Sequence, residues 1–431
     1  VNDKTSGAAA GPQKPARTEA KQREDTMDRR SFVKGGAALV GASTLPVVCA
    51  QAQAAPASIR FGYAITQSGP LGPGAESTSV SQYKLWQKRV NDDGGIMLKK
   101  FGKKVPIEFV AYDDQGKPDE LLKLTERLIQ QDKVDMILSP YASHMNLASA
   151  PITNKFEYPV IYTTATTNKT YTLGPKWPFA FWNISQPTES TEPVARMMGD
   201  LKKAGKIKGR AAVIHPNVEF GVEMNGAFLE AAKKNGVEVV YNKSYPFGSS
   251  DLQPLVREAM AASPDAFIAM SYPPDTFMLP EQCKIVGFNP QIMYLAIGGV
   301  FPGLKGKYGN NVNGIFVYGG LNPDEPGMAE YNKAHQAMFN RPSEAGAINV
   351  YGGLQVTQQA IESVGEIDRK KIRDAIARDS FKTLWGELSY KDQRNANPWA
   401  VGQWQNGEVV GVFPASKAGA RQPVFPKPAW S

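Results

Sequence analysis

From Ser58 onward, short apolar runs alternate with longer stretches whose apolar residues recur at helical spacing. Ile59–Ala64 predicts a strand. Ser79–Asn91 groups Val80, Tyr83, Leu85, Trp86 and Val90 on one side and predicts a helix, stopped by Asp92-Asp93-Gly94-Gly95. Val105–Ala111 predicts the next strand. Pro118–Gln131 predicts a helix with Pro118 in its first turn and Leu121, Leu122, Leu124, Leu128 and Ile129 on its apolar face. Met136–Leu138 and Val160–Tyr162 predict short buried strands. Such strand–helix alternation predicts a parallel sheet with helices on both faces.

A second series repeats the pattern. Ala211–Ile214, Val237–Tyr241, Ala266–Met270 and Gln291–Leu295 predict strands, with helices near Phe220–Lys234, Leu252–Ala262 and Asp275–Val286. The string AAVIHPNVEFG opens this series as SIRFGYAITQSG opens the first: strand, polar loop, helix. Gly314–Tyr318 adds a strand; Pro326–Phe339, Gly346–Ser363 and Arg369–Arg378 read as helical; Gly386–Tyr390, Ala400–Gln405 and Val409–Val412 read as short strands. The fold class is therefore α/β, with two Rossmann-like units of similar size. The tail over residues 414–431 is rich in Pro and Lys and is expected to be loosely ordered.

The N-terminal stretch has a different grammar. Residues 1–26 are polar and without periodicity, which predicts disorder; Met27 is expected to be the start of translation, with the preceding residues a mis-extended reading frame. Residues 27–54 read as an export signal: Arg29, Arg30 and Lys34 at its start, a short apolar run from Gly35 to Val48, then small residues at Ala50, Ala52 and Ala54. Arg29-Arg30-Ser31-Phe32-Val33-Lys34 resembles a twin-arginine signal and predicts export to the periplasm. This changes the charge argument. The 431-residue chain carries a net charge of +8, which invites a nucleic-acid partner. Residues 1–54 hold eight of its basic and five of its acidic residues, so +5 remains, spread along the chain. Lys99, Lys100, Lys103 and Lys104 sit together on one hairpin-like connection and read as a solvated turn. No nucleic-acid partner is expected.

Catalytic signatures are missing. The loop Gly69-Pro70-Leu71-Gly72-Pro73-Gly74 lacks G-x-G-x-x-G spacing, and its prolines remove two N–H donors that a phosphate cradle needs. There is no P-loop and no nucleophile elbow. His144, His215 and His335 do not share metal-ligand spacing, and two Cys in the chain leave no material for a Cys-rich site, so no metal or cofactor is expected. Asp113-Asp114 reads as a strand-end turn rather than a carboxylate pair. What stands out is Ser/Thr-rich sequence at the strand ends: Ser139–His144 and Thr163–Asn168. Each precedes an expected helix start, where hydroxyls and free N–H groups can hold a carboxylate. Each cluster alone also reads as a simple helix cap, and the pair leaves both readings open.

Several motifs, in order, carry a family resemblance: Gln67-Ser68-Gly69-Pro70, Val90-Asn91-Asp92-Asp93-Gly94-Gly95-Ile96, Tyr112-Asp113-Asp114 with Pro118, the Tyr141–Ser143 loop, Ala165-Thr166-Thr167-Asn168, Phe220-Gly221 and Ser271-Tyr272. From about Ser58 to Pro414 the chain resembles the Leu/Ile/Val-binding proteins, type I periplasmic solute-binding proteins of ABC importers. The resemblance implies two lobes joined by three hinge crossovers, near Asn183–Thr188, Gly314–Asn322 and Tyr390–Pro398. Lobe 1 is expected over residues 58–185 and 319–392, lobe 2 over 186–318 and 393–413. It implies a monomeric, non-catalytic receptor that delivers a small carboxylate to a membrane permease. Carried over by position, Ala142 and Ser143 would hold the ligand's carboxylate, Ala165 would give backbone contacts and Thr167 a hydroxyl. Tyr141 would stand in the pocket wall, and Phe220 and Tyr272 would be second-lobe aromatics.

The departures bear on the ligand. Amino-acid receptors of this family place an acid on the second lobe for the ligand's ammonium; the matching position here is Gly298. Phe220 stands where a tyrosine is usual, and Gly116 and Tyr141 occupy the family's cysteine positions. An unpaired buried ammonium is costly. Either Glu219, Glu223 or Asp275 supplies the charge, or the ligand is an aromatic or aliphatic acid or an amide. A ligand-sensing receptor domain of the same fold is the alternative to transport.

Overall fold

The structure, a computed structural model, describes residues 54–431. The expectations for residues 1–26 and for the export signal lie outside the described residues, apart from Ala54. In the first lobe the strand Ile59–Ile65 pairs in parallel with Ile107–Asp113 on one side and Met136–Ile137 on the other. Val160–Tyr162 pairs in parallel with Ala180–Trp182, and the hairpin Tyr390–Lys391/Arg394–Asn395 adds to that edge through Arg394 opposite Trp182. These strands form a three-stranded and a four-stranded sheet, and the latter runs to Asn395.

The second lobe is one seven-stranded sheet. Its order is Glu408–Phe413, Val401–Gln405, Ile315–Tyr318, Ile292–Leu295, Ala266–Ala269, Arg210–Pro216 and Glu238–Tyr245; the last five run parallel and the first two are antiparallel additions. Ala266–Ala269, Ile292–Leu295 and Ile315–Tyr318 are buried along their whole length. Burial on both faces explains why they read as unbroken apolar runs rather than alternating ones. Between the first-lobe sheets and the seven-stranded sheet the chain crosses three times: between Trp182 and Arg210, after Tyr318, and between Asn395 and Val401.

Helices form where the apolar face predicts them. Pro118–Gln130 buries Leu121, Leu128 and Ile129, with Pro118 in its first turn and Asp119 and Glu120 against the positive end of the helix dipole. Proline sets the departures from expectation. Pro106 separates a hairpin arm, Lys103–Val105, from the strand Ile107–Asp113. Pro280 cannot donate to the carbonyl four residues back, and the expected helix Asp275–Val286 becomes two, Pro273–Thr276 and Leu279–Ile285. The helix expected at Ser79 begins earlier, as a turn over Gly72–Ala75 and a π-helical stretch over Glu76–Val80 that runs into Ser81–Asp92.

Residues 414–431 are not loose. The Gln403 amide donates to the Val424 carbonyl (2.8 Å) and accepts from its N–H (2.7 Å). Lys427 N–H donates to the Gln291 carbonyl (2.8 Å), and the Trp430 indole to the Phe288 carbonyl (2.8 Å). A proline-rich segment cannot build its own ladder, so it satisfies its polar groups against the second lobe. Among the described residues no helix is long and apolar enough to cross a membrane.

Candidate functional site

The turns that follow Met136–Ile137 and Val160–Tyr162 face, across a cleft, the turns that follow Ala266–Ala269 and Ile292–Leu295. Between them lies a small cavity of about 60 Å³. The first lobe contributes Thr78, Tyr141, Ala142, Ser143, Thr163, Thr164 and Asn349; the second contributes Tyr272, Ile297, Val300 and Phe301; Tyr318 and Trp399 stand where the chain changes sheets.

The first-lobe wall is built with strain. Ala142 precedes the helix Ser143–Lys155 with φ 78° and ψ 149°. This backbone state is unfavourable for a residue with a Cβ and typical of sites where geometry serves a ligand. Its carbonyl accepts from Asn146 N–H (3.0 Å) and from the Asn146 amide (2.7 Å), which also reaches Thr164 Oγ1 (2.9 Å). Ser143 Oγ accepts from Thr166 N–H (3.0 Å), locking the two Ser/Thr-rich turns together. Gly74 has no side chain because Tyr141 needs the space: a Cβ there would stand 2.6 Å from the Tyr141 hydroxyl.

Of the residues singled out by resemblance, Tyr141, Ala142, Ser143 and Tyr272 line the cavity. The structure does not bring the other four into its lining. Ala165 is buried behind the turn. Phe220 is also buried and packs its ring on Tyr272 with centroids 4.9 Å apart, so it backs the wall. Gly298 lies against Thr276. Thr167 Oγ1 donates to Glu223 Oε1 (2.8 Å) and Asn168 N–H to Glu223 Oε2 (2.8 Å), while Lys169 pairs with Glu219. Glu219 and Glu223 lie four apart on the second-lobe helix Glu219–Lys234. The set is a latch between the lobes. Thr167→Ala and Glu223→Gln are each expected to weaken binding of whichever ligand is identified about three- to tenfold, less than the full value of a charged hydrogen bond because Glu223 is partly exposed. The double variant is expected to lose little more than either single one; titration of the four proteins checks this. Full additivity would mean that the two groups act separately.

The three acids expected to supply charge to the cavity are thus engaged elsewhere: Glu219 and Glu223 in the latch, and Asp275 accepting from the Tyr245 hydroxyl (3.0 Å) and Tyr272 N–H (3.4 Å). The carboxylate that does line the cavity is Glu344, beside Thr78 and Tyr141. Burial pushes its carboxyl up to about 8, against the opposing influence of Thr78 and Arg341. Sequence reasoning passed over it, as it did Thr78, Trp385 and Trp399. One signal was available: Glu344 opens a run with no further charge until Glu362. Asp113 and Asp114 form a turn, as expected. Asp113 accepts from Gln67 N–H (2.9 Å) and Gln115 N–H (2.9 Å), and Asp114 from the Thr66 hydroxyl (2.7 Å) and Gly116 N–H (2.8 Å). Lys100 and Lys104 pair with Glu366 and Asp93 (2.7 and 2.6 Å) on a solvated turn.

Two α/β lobes, three crossings and a cavity at the facing strand ends define a type I periplasmic binding protein. A sequence model of the family described as periplasmic binding protein matches residues 58–408, and the chain belongs to that family. Among its relatives is the Leu/Ile/Val-binding protein homolog 7 of Brucella abortus (strain 2308), 24% identical over 398 residues that cover 87% of this chain and 96% of that one. The fold matches the branched-chain amino acid transporter substrate binding protein LivJ of Streptococcus pneumoniae in complex with isoleucine (TM-score 0.69, 19% identity, 82% and 97% of the two chains). It matches equally an ABC transporter solute binding protein of R. palustris in complex with benzoate (TM-score 0.69, 20% identity, 85% and 99%).

Proposed function

We propose that this protein is the extracytoplasmic receptor of a branched-chain-amino-acid-type ABC importer, which closes on an amino acid or related small carboxylate and presents it to a membrane permease. The observation that carries this reading is the interlobe cavity, with a strained backbone turn and Ser143 at a helix start on one side and aromatic side chains around it. Free N–H groups at the start of Ser143–Lys155 suit a carboxylate, and Tyr141, Tyr272, Phe301, Trp385 and Trp399 suit an apolar body. The crossings that hold Tyr318, Gly319 and Gly320 in the same wall would let the lobes open and close about the ligand. We further propose export by the twin-arginine-like signal, action as a monomer without cofactor or catalysis, and lobe limits close to those expected from the sequence.

The aromatic lining favours a second reading, an aromatic acid without an amine. A thermal-shift screen of amino acids, their deaminated acids and benzoate tests the receptor role. A ligand at a hundredfold its Kd adds about 2.7 kcal/mol of stability, a readily visible rise in Tm. No shift with any of them, or conversion of one of them into product, would count against the proposal.

A further inference from the structure

We infer that Glu344 receives the cationic end of the ligand, so that the cavity selects a carboxylate that bears an amine. The inference rests on the receptor reading above and narrows it.

Glu344 sits just before the helix Ala345–Val364 in extended backbone, and its side chain makes no capping hydrogen bond to that helix. A capping role is therefore not what keeps it there. The residue is 1% exposed, and among the described residues neither carboxylate oxygen has a partner at hydrogen-bond distance; the Thr78 hydroxyl only stands near enough to favour the charged form. Buried carboxylates are normally paired, since the desolvation of an unpaired one is among the larger penalties in a protein interior. Among the described residues no Lys or Arg lines the cavity. Arg341, the nearest cation in sequence, donates to Ser77 Oγ (3.2 Å) and lies over the Phe339 ring. The partner that Glu344 lacks within the protein is thus one that a ligand can bring. Its neighbours in the lining, Thr78 and Tyr141, tie it to the same wall as Ala142 and Ser143. A ligand with its carboxylate at the start of Ser143–Lys155 would present an amine towards Glu344.

This explains how a second-lobe acid can be missing without loss of an ammonium site: the negative group comes from the first-lobe side of the cleft. It also sets the selectivity. A deaminated acid would leave Glu344 unpaired and place a second carboxylate in the same cavity. Sites built around a buried polar group reject analogues that lack its partner far more strongly than apolar pockets reject a missing methylene.

The test is calorimetric titration of the intact protein and of Glu344→Gln with the standard L-amino acids, their deaminated counterparts (4-methylpentanoate for leucine, 3-phenylpropanoate for phenylalanine) and benzoate. The expected result is an amino acid that binds wild type at least about a hundredfold more tightly than its deaminated acid, with most of that preference lost in Glu344→Gln. The ligand-free variant should melt no lower than wild type, which separates lost recognition from lost folding. If the variant does not fold, the wild-type contrast between amine and deaminated acid decides. Equal or tighter binding of benzoate or deaminated acids overturns the inference and leaves the receptor reading standing. Binding of nothing in the panel removes the receptor reading for small carboxylates, and this inference with it.

Discussion

Relative to Glu344→Gln, the ligand-free protein is expected to lose stability against urea as the pH rises from about 5 to about 8. The sign follows from the direction of the shift. The Glu344 carboxyl ionises near 4.5 in the unfolded chain and near 8 in the folded one. Below both values each form holds the proton, and burial of the neutral acid is tolerated. Between them only the unfolded chain releases it, so the unfolded chain gains from every rise in pH. Above about 8 the loss is complete. Its upper limit is about 5 kcal/mol, and relaxation around the charged form will make it smaller. The charged and titratable groups around Glu344 are Arg341, Tyr141 and Tyr331. The tyrosines stay neutral across this range because burial raises both. Asp114 and Asp275 are also raised by burial and slope the same way, whereas His144, His215 and His335, lowered by burial, slope the other way; both contributions are common to the two proteins. The difference between wild type and Glu344→Gln therefore isolates one carboxyl. Urea midpoints at pH 5 and pH 8 measure it; parallel behaviour of the two proteins would mean that Glu344 is solvated or paired in solution.

The same residue shows what can and cannot be seen in a sequence. Strands and helices announce themselves by local periodicity, so the alternation from Ile59 to Leu295 was legible, apart from the places where Pro106 and Pro280 interrupt it. The Tyr141–Ser143 loop was legible because strand-end turns are where an open α/β sheet places its ligands. Thr167 and Phe220 were legible as cleft residues but not in role. A hydroxyl that bonds a carboxylate of the other lobe looks, in sequence, like one that bonds a ligand. A ring that stacks on Tyr272 looks like one that touches the solute. Glu344, Trp385 and Trp399 reach the cavity only because the chain crosses between sheets late in its course. Such long-range placement leaves no periodic trace, and the single hint was an acid followed by an uncharged run as far as Glu362.

Restoring an acid at the position where the family resemblance leads one to look for it is expected to fail. Gly298→Asp should lower stability by about 3 kcal/mol or more and yield no amine-binding site, because the position has no room even for a methyl group. A Cβ on Gly298 would lie 2.0 Å from Thr276 Oγ1, 2.4 Å from Thr276 Cβ and 2.8 Å from the Tyr272 carbonyl oxygen. Real contacts of this kind do not occur, so something must move, and the neighbours are not free to do so. Thr276 is held by a 2.6 Å hydrogen bond between its hydroxyl and that of Ser271, and Gly298 N–H donates to the Ser271 carbonyl (3.3 Å). Tyr272 is packed by Phe220 and Phe247 and lines the cavity itself. Overpacking a rigid site typically costs about 1–3 kcal/mol for added methylenes, and an aspartate adds a buried charge to that strain. Gly298→Ala separates the two contributions, since it carries the clash without the charge. Pairing it with Thr276→Ala should recover only part of the loss, since the contact with the residue-276 Cβ persists when the hydroxyl is gone. Thermal melts of the three variants decide the matter: a Gly298→Ala protein as stable as wild type would show that the second-lobe wall yields, and would reopen Gly298 as a place from which a side chain could reach the ligand.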